Sequence, residues 1–250
     1  MIVLPFQPPL DWPGILRFLR SRAIPGVECV DESTYRRGSV TIALAQDKSA
    51  LLIDTPDAND ETAQRTKHLF DLDANPRAIQ RHLGKDPLLK LPHGLRVPGC
   101  WEPFELAVRA VVGQQISVAA ASTFMGRMHS AFGLTPAALA DAELTAVGLT
   151  RSRAQTVQDL AAAVLQHGLQ LDRLANIRGI GPWTVQYIAM RAFKHTDAFP
   201  AEDLILRRAA ALNGQALSPK QLTDRAEAWR PYRAYAVIAL WRAYAEKQLK

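Results

Sequence analysis

Cysteine is nearly absent from this chain. Cys29 and Cys100 are the two it has in 250 residues, and they stand far apart with no CxxC spacing. That excludes a zinc site or an iron–sulfur cluster held by cysteines. In a reducing compartment the two read as separate buried thiols and not as a disulfide. Long apolar runs are missing too, so no segment reads as a membrane span. The opening Met1-Ile-Val-Leu-Pro5-Phe has no basic region and no continuous apolar core, so no secretory leader is read there. A soluble cytoplasmic protein without a membrane partner is expected. Aromatics are also few, at 7%.

What is present is an ordinary supply of core residues and an excess of positive charge. The hydrophobic fraction of 48% can build a sizeable core, and 250 residues allow one large domain or two smaller ones. The net charge of +6 favours a polyanionic partner without deciding for one.

The first third of the chain differs from the rest. Pro8, Pro9 and Pro13 break up the opening, and Ile15, Leu16, Phe18 and Leu19 then predict a short helix with an apolar face. The stretch from Tyr35 to Ala45 alternates through Val40, Ile42 and Leu44 and reads as a strand. Leu51-Leu-Ile53 returns after a polar turn at Gln46-Asp-Lys-Ser49. Past about residue 60 the pattern becomes helical. Phe104, Ala107, Val108, Val111 and Val112 have helical spacing. Thr135 and Thr150 can cap helices, Gly168 can end one, and Ser218-Pro-Lys-Gln221 has capping-box form. Tyr232 to Tyr244 reads as a final buried helix. The expected fold is mainly α with a small N-terminal α+β sheet domain over 1–70 and a helical region over 71–250.

The most informative stretch is Leu174-Ala175-Asn-Ile177-Arg-Gly179-Ile180-Gly181-Pro-Trp183-Thr184, between two helical patterns. Glycines here let the chain turn tightly. The turn leaves amide N–H groups at the start of the next helix free to meet an anion such as a DNA phosphate. An ordinary interhelical turn is the plain alternative, because GxG alone is common. Further on comes Asp197-Ala-Phe199-Pro200-Ala-Glu202-Asp203-Leu204, where Pro200 forces a break and Asp203 falls at a helix start. That position by itself reads as a helix cap. The functional alternative is a carboxylate at a cleft floor, opposing charge on a sugar or orienting water. Trp183, Tyr187 and Trp241 lie on helices that should pack near one another. They are either core residues or walls for an extruded base.

Taken in order, these segments resemble the helix-hairpin-helix (HhH-GPD) DNA glycosylase superfamily, and within it the 3-methyladenine-DNA glycosylase II, AlkA-like, branch. The likeness also rests on Gln7-Pro-Pro-Leu-Asp11-Trp12, Arg22-Ala-Ile-Pro-Gly-Val-Glu28, Phe70-Asp-Leu-Asp73, Val97-Pro-Gly-Cys100-Trp101, Val112-Gly113-Gln114-Gln115-Ile-Ser117 and Trp229-Arg-Pro231-Tyr-Arg233-Ala-Tyr235. It implies an N-terminal sheet domain like half of a TATA-binding protein, then two helical subdomains around a cleft, with the hairpin near 174–193. It implies that Asp203 is the catalytic aspartate, with Glu202 the second choice. Trp183, Tyr187, Trp241 and Phe18 would line the base pocket. Gln114 and Gln115 would enter the minor groove, and Gly179, Gly181 and Thr184 would meet the DNA backbone. Hairpin carbonyls matching Ala175, Ile177 and Ile180 would hold a sodium or potassium ion, and no other cofactor is required.

Members of that superfamily that also cut the strand carry a lysine where this chain has Trp183, so hydrolysis alone is expected. Departures fall at Leu204, Gln115 and Arg242, where other residue types occur, and they bear on substrate breadth. The expected partner is double-stranded DNA carrying alkylated bases, bound by a monomer in a bacterial cytoplasm, nucleoid-associated when on DNA. The rivals are a non-catalytic helix-hairpin-helix DNA-binding module, a glycosylase for oxidised or deaminated purines, and a helical protein unrelated to DNA.

Overall fold

Short runs of alternating apolar residues form five strands: β1 (Ile2–Pro5), β2 (Glu28–Val30), β3 (Thr34–Arg37), β4 (Val40–Leu44) and β5 (Ala50–Asp54). The computed structural model describes residues 1–211 and 215–248. The strands pair antiparallel in the order β1-β5-β4-β3-β2. Register is set by the buried face: Ile42 lies opposite both Tyr35 and Ile53, and all three are shut off from solvent. The stretch from Tyr35 to Ala45, read above as one strand, is divided between β3 and β4. Gly38, at φ +55°, makes the turn between them.

Helix α1 (Trp12–Arg20) starts at Asp11, whose carboxylate accepts from the Gly14 N–H at 3.1 Å. Its Trp12, Ile15, Leu16 and Leu19 recur at helical spacing and are buried. They join Leu4, Tyr35, Ile42, Leu51, Ile53 and Phe70 in one apolar cluster. The Phe70 ring meets Trp12 at 5.0 Å and Tyr35 at 5.9 Å. Phe18 packs against this cluster and the larger helical one.

Phe70 ends α2 (Asp60–Phe70), and α3 (Pro76–Leu83) leads into the helical body. There α4 (Pro103–Val112) is buried continuously from Leu106 to Val112. Such all-round burial needs neighbours on several sides. They are α5 (Val118–Phe132), α7 (Arg151–His167) and α9 (Pro182–Arg191). The short α6 (Pro136–Leu139) and α8 (Leu171–Leu174) lie between these, and α10 (Leu204–Ala209), α11 (Pro219–Ala226) and α12 (Arg233–Gln248) complete the body. Local signals set several of the ends. Thr135 and Thr150 cap α6 and α7, Gly168 ends α7, and Ser218 with Gln221 forms a capping box on α11. No helix among the described residues is long and apolar enough to cross a membrane.

One polar joint ties the sheet region to the helices. Asp71 closes α2 in the left-handed conformation, at φ +54°. Its buried carboxylate accepts from the Val97 N–H at 3.0 Å and the Tyr235 hydroxyl at 2.9 Å, and pairs with Lys194 Nζ at 2.9 Å. Lys194 also donates to the Val97 carbonyl at 2.6 Å. Burial holds the Lys194 ammonium below its ordinary range, with Asp71 pulling the other way. The joint seats α12 and the chain after α9 against the N-terminal region.

Candidate active site

The turn between α8 and α9 is built on a close approach. Gly179 lies at φ +92°, and a β-carbon there would stand 2.3 Å from Thr156 Oγ1. Thr156 itself donates to the Arg178 carbonyl at 3.0 Å. Only glycine fits. Ile180 is buried and Ile177 packs half-buried on the helical core, which pins the hairpin down. Gly181 is different. It is the exposed N-cap of α9, without a side-chain cap, and nothing lies within 4 Å of where a β-carbon would be. Pro182, the first residue of α9, has no N–H, so the amides left without an intrahelical partner at this positive end of the helix dipole are those of Gly181, Trp183 and Thr184.

That contrast gives a prediction. Gly181→Ala should leave the melting temperature within about 2 °C of wild type, a shift set by well under 1 kcal/mol in a chain of this size. It should nevertheless weaken duplex affinity severalfold, because the methyl group stands where a phosphate would approach. Gly179→Ala should lower the melting temperature through steric strain. Unchanged duplex affinity of Gly181→Ala, measured by fluorescence anisotropy, would remove the hairpin from the DNA interface.

Asp203 is indeed the cap of α10, accepting from the Leu206 N–H at 2.8 Å. The cap reading and the site reading are compatible, because the same carboxylate takes two further donors. Trp183 Nε1 donates to Oδ2 at 2.9 Å and Trp241 Nε1 to Oδ1 at 3.3 Å. Asp203 is half-buried on a cavity of about 340 Å³ whose lining also includes Trp183, Tyr187 and Trp241. Glu202 is exposed and does not line that cavity. The segment before Asp203 is anchored by hydrogen bonds. Arg233 Nε donates to Asp197 Oδ1 at 2.8 Å, and the Phe199 N–H donates to Gln186 Oε1 at 2.9 Å.

The rings are not equivalent walls. Trp183 and Tyr187 stack on each other, 5.2 Å apart and 14° from parallel. A base between two rings needs about twice the roughly 3.4 Å spacing of stacked bases, so none fits between that pair. Tyr187 and Trp241, 6.1 Å apart at 48°, are also too close to hold a base between them, and both edge the cavity. Phe18 is absent from this lining and lies on a neighbouring cavity of about 270 Å³, which Arg22 and Trp241 share.

Three arginines that the sequence reading did not single out converge behind Tyr187. The Arg191 guanidinium donates to the Tyr187 hydroxyl at 2.6 Å and is fixed by the carbonyls of Pro98 and Gly99. Arg22 stacks on Phe18 at 3.8 Å, and Arg22 and Arg109 both line the cavity. Burial holds Arg22 down to about 10, and it lowers Arg109 as well. Burial alone would raise the Tyr187 phenol, but Arg191, Arg22 and Arg109 bring it below its ordinary value. The usable signal was a charged residue inside an apolar helical pattern, as Arg109 is in α4.

The two glutamines after α4 go separate ways. Gln115 is exposed in the left-handed region, at φ +59°. Gln114 turns back into the protein, its Nε2 donating to the Gly179 carbonyl and to Thr184 Oγ1, both at 2.9 Å. Thr184 is buried, so its hydroxyl faces Gln114. Among the hairpin carbonyls, that of Ile177 accepts from the Ile180 N–H at 3.0 Å.

Comparison with known proteins gives the family and the fold. The AlkA N-terminal domain model matches residues 1–102, and the HhH-GPD superfamily base excision DNA repair protein model matches residues 108–231. The Escherichia coli protein named DNA-3-methyladenine glycosylase 2 is 32% identical over 96% of each chain. A Mycobacterium tuberculosis protein, "Probable bifunctional transcriptional activator/DNA repair enzyme AlkA", is 36% identical over 95% of this chain, which spans 56% of that protein's length. The structure of a 3-methyladenine DNA-glycosylase from Archaeoglobus fulgidus superposes over 100% of both chains with a TM-score of 0.85 at 20% identity, a likeness of fold. With its five-stranded N-terminal sheet, its hairpin and its capped aspartate, the chain belongs to the HhH-GPD superfamily of base excision DNA repair proteins and carries an AlkA N-terminal domain.

Proposed function

We propose that this protein is a monofunctional DNA glycosylase that hydrolyses the N-glycosidic bond of alkylated purines in duplex DNA. The observation that carries the reading is the carboxylate of Asp203, held by two indole N–H groups on an aromatic-lined cavity. The relatives' names, DNA-3-methyladenine glycosylase 2 among them, point to the same reaction.

The hairpin amides hold a backbone phosphate and the net charge of +6 draws the duplex in. The damaged nucleotide rotates out, its weakened pairing and stacking lowering the expense of extrusion. Its base enters the cavity edged by Trp183, Tyr187 and Trp241, where a cationic alkylated purine gains about 1–2 kcal/mol from a ring face. Arg22 and Arg109 also line that cavity. The bond from C1′ to the purine nitrogen then breaks. Its electron pair leaves with the base and neutralises the base's charge, so no general acid is needed. Asp203 opposes the positive charge left on the sugar. Water adds to C1′, and its proton passes through Asp203 to solvent.

No lysine lines the cavity among the described residues, so no Schiff base forms and an abasic site is the product. The reaction as proposed needs no cofactor. Sodium or potassium suits the backbone oxygens of Ala175, Ile177 and Ile180, and there it would brace the hairpin. The protein acts as a monomer on DNA in the cytoplasm.

The test is chromatography of free bases after incubation with methylated duplex DNA. The expected products are 3-methyladenine and 7-methylguanine, with strands intact until alkali is added. Absence of any released base, or strand scission without alkali, would sink the reading.

A further inference from the structure

The turn that presents Gln115 and the hairpin between α8 and α9 are tied by one side chain. Gln114 Nε2 spends its two hydrogens on the Gly179 carbonyl and Thr184 Oγ1, both at 2.9 Å. The carbonyl is an obligate acceptor, so the amide's orientation is determined. Gly179 is the position where the hairpin closes on Thr156, and Thr184 is buried in the first turn of α9. On the other side, Arg153 donates to the Gln114 carbonyl at 2.7 Å, and Thr156 on the same helix donates to the Arg178 carbonyl at 3.0 Å. The end of α4, the start of α7 and the hairpin thus share one hydrogen-bond network. At its edge Gln115 is exposed at φ +59°, where a non-glycine residue needs its neighbours held to remain.

We propose that Gln114 is a positioning residue that couples phosphate capture at the hairpin to insertion of Gln115 at the extruded nucleotide, with Thr184 as its partner. Neither side chain touches DNA. Gln114 fixes where Gln115 stands relative to the amides of α9, so that a phosphate seated on the hairpin sets the depth at which Gln115 enters the stack. The effect falls on opening of the base pair and not on the glycosidic bond. This inference rests on the glycosylase reading.

The test uses the full chain and single-turnover release of 7-methylguanine from two duplexes. In one the lesion is paired with cytosine; in the other it faces an abasic site, so that little opening work remains. Gln114→Ala should slow release from the paired duplex by about tenfold, the loss of roughly one hydrogen bond's worth of positioning. Release opposite the abasic site should change by less than about threefold, because opening no longer limits it. Thr184→Val should reproduce the pattern, and Thr184→Ser, which keeps the hydroxyl, should rescue it. Equal losses on both duplexes, or no loss on the paired one, overturn the coupling. A wild-type protein that releases no base from either duplex overturns the glycosylase reading itself, which separates the two failures.

Discussion

Asp203→Asn is expected to lower single-turnover base release by about 10²–10³-fold, the usual effect of removing one electrostatic group from a transition state, while duplex affinity is kept. The fold should survive for a reason visible in the donor pattern. Leu206 N and Trp241 Nε1 both approach Oδ1, and Trp183 Nε1 approaches Oδ2. An asparagine oriented with its oxygen at the Oδ1 position keeps the cap and the Trp241 bond. Its amide then faces the Trp183 N–H, donor against donor. The variant therefore loses the negative charge and one indole contact, and holds α10 in place. Asp203→Ala should be worse for stability, since it removes the cap, worth about 1 kcal/mol, and leaves indole N–H groups unpaired. The measurements are base release by chromatography, affinity by anisotropy and melting by calorimetry. Release by Asp203→Asn at the wild-type rate would disprove the assignment of the carboxylate.

The largest stability effect is expected far from the cavity. Asp71→Ala should cost about 3–5 kcal/mol, because it strands a largely buried ammonium and two other donors. The groups left behind are Lys194 Nζ, the Val97 N–H and the Tyr235 hydroxyl. Equilibrium denaturation reads this directly. The double variant Asp71→Ala with Lys194→Met should recover part of the loss, because the uncompensated charge goes with it. A loss below about 1 kcal/mol for the single variant would mean that water or a rearranged partner satisfies Lys194. Because the joint seats α12, base release in Asp71→Ala should fall together with stability, through displacement of Trp241.

The parts of this molecule that were legible beforehand are those governed by neighbours in sequence. Thr150 and Gly168 bound α7 because a hydroxyl cap and a glycine stop act within one turn. The same holds for Ser218 and Gln221 on α11. Alternation through Val40, Ile42 and Leu44 sufficed for β4. It did not suffice for β1 and β2. Each is too short to show a period, and β1 becomes a strand by pairing with β5, a partner remote in sequence.

The site divides along the same line. Its aspartate could be placed at a helix start from Pro200 and the residues that follow, and resemblance to a family singled it out. Nothing in the spacing of Trp183, Asp203 and Trp241 shows that both indoles donate to that carboxylate. Nor does it show that Trp183 spends one face on Tyr187, that Arg22, Arg109 and Arg191 meet behind the phenol, or that Gln114 turns inward while Gln115 faces out. Local chemistry along the chain determined where several helices begin and end. The direction of each side chain into a common cavity depends on how α9, α10 and α12 cross, and packing between distant segments decides that.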